Sequence, residues 1–165
     1  MYHPRSKERG DLYTLGVEMP IRNYALTIGA EGIPRPMLWV RIVNPRTDKA
    51  TPPLLALVDT GSDVCCFPSD VAVELGHNLT TVKSVPVVVP FGRGTGKAFA
   101  HTTCIEILDA DADGEPSDVV LYPIPKKRIH FVRGGSGFFL GVGDFLRDFV
   151  VNIDYPAGVF SITYQ

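Results

Sequence analysis

The sequence predicts an all-β domain, a compact barrel or sandwich with one or two short helices, and three observations carry that expectation. Sixteen glycines and 14 prolines are spread along 165 residues and cut the chain into short pieces. The pieces are rich in Val, Ile and Thr, which suit a pleated, half-buried surface. Helix signals are confined to two short stretches, and many short strands with little helix build barrels or sandwiches.

In chain order, strands are expected at residues 24–28, 37–43, 54–58, 85–89, 98–108, 119–122, 150–153 and 159–163. "NPRTDKATPP" (44–53) and "DYPAG" (154–158) read as hairpin turns. "SDVAVELG" (69–76) reads as a helix with Ser69 or Asp70 as N-cap and Gly76 as its stop. "GDFLRDF" (143–149) reads as a second, shorter helix. Residues 1–20 are the least patterned and are expected to form a flexible N-terminal arm ahead of one domain, 21–165. The chain shows no internal repeat.

Composition narrows the partners. Hydrophobic residues at 45% and charged residues at 21% are ordinary for a globular protein. A net charge of -2 gives no electrostatic footprint for nucleic acid. The basic runs "PRSKERG" (4–10) and "PKKRIH" (125–130) are short and read as solvated loops. Cys65, Cys66 and Cys104 are an odd set with two neighbours, which argues against a disulfide framework. Without a C-x-x-C or clustered His they also argue against a metal site, and they read as small buried side chains in a reducing compartment. The first 16 residues lack the apolar core of a signal peptide, and no apolar run is long enough to span a bilayer. A cytoplasmic chain with neither membrane nor nucleic acid as partner is expected.

The chemistry centres on "PLLALVDTGSDVCCF" (53–67), where Asp59 ends an apolar run and Thr60, Gly61 and Ser62 follow at once. A carboxylate driven to the end of a buried strand is costly unless paired or sharing a proton. Gly61 lets the backbone turn sharply and bring its N–H to the carboxylate, Thr60 can fix the turn, and Ser62 can add a donor. On these residues alone a tuned acid and an ordinary Asp-Gly turn, in which the aspartate caps its own backbone, are equally good readings.

A second stretch decides between them. "GFFLGVGDFLRDFVVNIDYPAGVFSI" (137–162) resembles the second half of retropepsin-like aspartic proteases, in which two hydrophobic residues and a glycine precede a short helix and closing strands. Phe139, Leu140 and Gly141 match the triplet, and Asp144, Phe145 and Leu146 match the helix start. Residues 40–76 are similar to the matching first half. One departure stands out: two residues, Val142 and Gly143, separate the triplet from the helix start where the family commonly has one. Between the halves, "VVVPFGRGTGKAFAHTT" (87–103) fits the family's flap, a hairpin closing over substrate, with Gly92, Arg93, Gly94, Thr95 and Gly96 as its tip.

The resemblance implies a retropepsin-like acid protease barrel with one lobe per chain, and an aspartic endopeptidase acting on an extended peptide or protein substrate. The mechanism needs two carboxylates sharing a proton about a water, whereas the chain has a single Asp-Thr/Ser-Gly. A two-fold homodimer in which Asp59 of each subunit meets its mate supplies the second. The resemblance also implies that Thr60 of each subunit bonds across the axis. No metal or organic cofactor is expected, because the nucleophile is water. The competing reading is a catalytically silent peptide-binding or dimerisation module of the same fold.

Other signals are weaker. "DADADGEP" (109–116) opens like a calcium loop, but its twelfth position is Val120 where Glu belongs, so it reads as an acidic hairpin turn. "GRGTGK" (92–97) fails as a phosphate loop because Phe91 and Ala98 stand at required positions. "NLT" (78–80) is a glycosylation sequon, which matters only in a secreted chain. His77 and His101 have no visible partners and are expected at surface or strand positions, and with no His near Cys65 and Cys66 a thiol nucleophile is not expected.

Overall fold

The computed structural model describes residues 22–88 and 95–164. Twelve strands are described: β1 (Arg22–Ala25), β2 (Thr27–Ile28), β3 (Pro34–Arg35), β4 (Met37–Val43), β5 (Leu54–Val58), β6 (Cys65–Pro68), β7 (Val85–Val88), β8 (Thr95–Ala110), β9 (Pro116–Val132), β10 (Phe139–Leu140), β11 (Phe149–Asp154) and β12 (Val159–Tyr164). One α-helix, α1 (Ser69–Glu74), and a single 3-10 turn, Leu146–Asp148, accompany them. The all-β expectation holds.

Six strands close on themselves in the order β4-β5-β10-β6-β9-β8, with a β4–β8 pairing sealing the ring and β7 added outside β8. A closed ring leaves no unpaired backbone edge of its own. The seam carries a buried ion pair, Arg41 of β4 with Glu106 of β8 at 3.6 Å, and Arg41 also reaches the largely exposed Asp118 of β9 at 2.6 Å. Removing either buried partner, Arg41 or Glu106, typically costs about 3–5 kcal/mol. A separate antiparallel sheet, β1-β12-β11, packs Phe160 and Ile162 into the same core as Leu38, Ile42, Ile107, Phe131 and Leu140. Both proposed hairpin turns, 44–53 and 154–158, link paired strands as expected.

Several local expectations fail for physical reasons. The strand expected over 24–28 is split at Leu26, whose N–H makes the last bond in the β1–β12 register, to the Gly158 carbonyl at 2.8 Å, before Thr27 and Ile28 turn to pair with β3. The basic run at 125–130 is not a loop: it lies within 17-residue β9, held by pairing to β8 on one side and β6 on the other. Helix α1 does end at Gly76, whose φ is +77°. Its N-cap, however, is Pro68, with no side-chain cap, because β6 runs straight into the helix. The second helix shrinks to the 3-10 turn because Leu146 and Arg147 bond back five residues to Gly141 and Val142, a wider spacing than α-helical bonding. His77 is buried rather than superficial. Its ring stacks on His101 of β8 with centroids 4.5 Å apart, and both rings lie against Phe131. Burial, aided by His101 and Arg46, lowers the His77 pKa to about 4. The expected arm, residues 1–20, lies outside the described residues.

Candidate active site

Asp59 follows the last residue of β5, a strand flanked in the barrel by β4 and β10. Triplet residues Phe139 and Leu140 form β10, pairing in parallel with Leu57 and Val58, while Phe139 also faces Cys66 of β6. Two residues therefore join β5 to β6, and the Asp59 N–H donates to the Leu140 carbonyl at 3.0 Å. The triplet and the Asp59 strand are in direct contact.

The turn itself is built from backbone. The Gly61 N–H donates to Asp59 Oδ1 at 2.9 Å, and the Ser62 N–H to the Asp59 carbonyl at 3.3 Å. The further donor expected of Ser62 goes elsewhere: its hydroxyl donates to the Val64 carbonyl at 2.8 Å, bracing the exit of the turn. Thr60 is exposed and Asp59 half-buried.

The extra residue after the triplet has a clear use. Val142 and Gly143 donate their N–H groups to the carbonyls of Ser62 and Asp63, both at 2.8 Å, so the post-triplet loop grips the turn from behind. The approach is so close that a Cβ on Gly141 would lie 2.3 Å from the Val64 carbonyl oxygen, and one on Gly143 2.8 Å from that of Asp63. Only glycine fits there.

In front of the turn opens a cleft of about 580 Å³ lined by Asp59, Gly61, Ser62 and Asp63, by Val85–Val88 of β7, and by His130 of β9. Strand β7 pairs with the start of β8, Val88 with Thr95 and Val87 with Gly96. Of the expected flap tip, Thr95 and Gly96 are therefore strand residues, and Gly92, Arg93 and Gly94 lie outside the described residues.

One lining residue and its partner were not legible in the sequence. His130 reaches the site because β6 and β9 run parallel with Cys66 beside His130, a pairing no spacing announces. Asp144, singled out only as the helix start, stands behind it, its Oδ2 3.8 Å from His130 Nδ1. Cys66, close by, is no nucleophile: burial, with Asp144 and Asp59 adding to it, pushes its thiol up to about 11, and Cys65 reaches about 12. Among the described residues no group of three or more His, Cys, Asp or Glu side chains could hold a metal ion, and no helix is long and apolar enough to cross a membrane. The "DADADGEP" turn, Asp111–Glu115, caps the β8–β9 hairpin far along the chain from this cleft.

No family model and no curated protein matches the sequence. Among solved structures the chain is similar to a retropepsin-like aspartic protease from Rickettsia conorii, with a TM-score of 0.55, 17% identity, and coverage of 88% of this chain and 92% of that one. The six-stranded closed barrel and the triplet strand inserted beside the Asp59 strand agree with that likeness: the chain has the retropepsin-like aspartic protease fold.

Proposed function

We propose that the chain is an aspartic endopeptidase, working as a homodimer in which Asp59 of each subunit shares one proton and one water with its mate. The observation that carries this reading is the placement of Asp59, at the floor of an open cleft with its Oδ1 taking the Gly61 N–H and its backbone tied to the triplet. The ionised carboxylate takes a proton from water as the water oxygen attacks the scissile carbonyl. The protonated one hydrogen-bonds that carbonyl as charge develops on it. Collapse of the tetrahedral species breaks the C–N bond, and the leaving amine takes up a proton.

Thr60, exposed at the turn, is free to bond across the axis, while Gly61 and Ser62 hold the carboxylate's geometry. The β7–β8 hairpin serves as the flap, and substrate binds as an added strand beneath it. Cleavage of a peptide library between about pH 4 and 7, read by mass spectrometry beside Asp59→Asn, tests the reading. Cleavage by the wild type alone supports it. Silence from both favours a peptide-binding module of the same fold, and sedimentation showing only monomer under active conditions overturns the homodimer.

A further inference from the structure

The described lining of the cleft carries three titratable side chains, Asp59, Asp63 and His130, and the rest is apolar, glycine, or Ser62 already bonded to Val64. A cleft with two carboxylates repels an acidic substrate side chain unless a cation offsets them. Among the described lining groups, His130 is the one that can become that cation. Its side chain is only 14% exposed, and Nδ1 stands 3.8 Å from Asp144 Oδ2. Both atoms are buried without a hydrogen bond in the free chain, so a small closure would join them.

The groups around the ring pull in two directions. Burial, and more weakly Arg128 on the same strand, lower its pKa, whereas Asp144 raises it. Cys66, beside it on β6, stays a neutral thiol, and Asp59 and Asp63 face the same cleft. The ring therefore changes charge with small changes in what lies against it. A carboxylate brought in by substrate, in a site walled by Val64, Val85 and Val87, favours the protonated ring as Asp144 does.

We propose that His130, positioned by Asp144, determines specificity in this cleft by accepting a substrate residue that bears a carboxylate. With Nδ1–H directed to Asp144, Nε2–H is left to donate to that carboxylate. The pairing is charge-assisted on both sides of the ring. The inference rests on the peptidase reading of Asp59, and it makes acidic selectivity strongest at low pH.

The test compares matched peptides carrying Glu or Gln at the position a randomised library shows to be selected, at pH about 5 and 7. Wild-type protein is expected to prefer Glu roughly tenfold at the lower pH, with the preference fading at the higher. His130→Gln abolishes the preference at both while still cleaving the Gln peptide, which also reports that the variant folds. Asp144→Asn keeps the preference but moves its loss to lower pH, a shift that a merely structural role would not produce. An unchanged Glu-to-Gln ratio in His130→Gln, or no acidic preference in the wild type, overturns the proposal. If the wild type cleaves nothing, the peptidase reading fails separately. The Glu-to-Gln ratio of peptide binding to Asp59→Asn, read by fluorescence anisotropy, then decides the role of His130.

Discussion

Two aspartate turns in this chain share one local motif. At Asp59 the carboxylate accepts the N–H two residues on, from Gly61 at 2.9 Å. At Asp111 it accepts that of Asp113 at 2.9 Å and of Glu115 at 3.0 Å. Locally both are ordinary Asx turns. The difference lies behind them. Both border a hollow, but the Asp59 turn is gripped by the Gly141–Gly143 backbone. The Asp111 turn caps a hairpin with exposed residues around it and is held from outside by a side chain, the Trp39 indole N–H donating to the Gly114 carbonyl at 2.8 Å. A carboxylate becomes a candidate catalyst through what fixes its turn, not through the turn itself.

Substitutions can break that contrast. The largest effect is expected at Asp59→Asn, which should cut peptide hydrolysis about a thousandfold or more with the far-UV spectrum unchanged. Comparable activity in that variant would end the distinction between the turns. Gly141→Ala should come next. Its Cβ has nowhere to go against the Val64 backbone, so a loss of about 3 kcal/mol is expected, read as a melting temperature about 10 °C lower. A variant melting within about 2 °C of the wild type would mean that the grip on the Asp59 turn is loose.

Acid stability probes the ground beneath both turns, because His77 follows the helix after the Asp59 turn and stacks on His101 of the strand that leads to the Asp111 turn. The folded state holds the His77 pKa at about 4 against an ordinary 6.5, so between those values the unfolded chain binds more protons. That stability contribution is full above pH 6.5 and is lost as pH falls toward 4, an expected effect of about 1–2 kcal/mol. His77→Gln should flatten the melting temperature across this window, and an unchanged slope would assign the acid sensitivity to other groups. Smaller still, Gly114→Ala in the acidic turn meets open space but a φ of +84°, for a loss of about 1 kcal/mol by chemical denaturation. Asp111→Asn should change stability by less than about 1 kcal/mol and activity not at all.

Reading from sequence reached some parts of this arrangement and missed others for identifiable reasons. The strands at Met37–Val43 and Leu54–Val58 were legible to the residue, because apolar runs, interrupted only by Arg41, are bounded by turn residues. The Asp59 turn and the triplet were legible as a matched pair. Strand β6 was not: four residues, Cys-Cys-Phe-Pro, ending in proline carry almost no strand signal. The basic run inside β9 was read as a loop because charge and proline speak locally, while a partner strand on each side speaks only in three dimensions. The same blindness hid His130 and Asp144, which lie 14 positions apart on different elements and meet only through a parallel register.

The joints of the Asp59 turn are main-chain atoms: N–H groups of Gly61, Val142 and Gly143, and carbonyls of Leu140, Ser62 and Asp63. A joint of that kind records almost nothing in the alphabet of side chains, apart from the glycines that let it close. A turn closed in this way places few demands on the side chains around it. A fold whose joints are main-chain atoms can be reached by very different sequences, and the likeness at 17% identity over 88% of this chain agrees with that freedom.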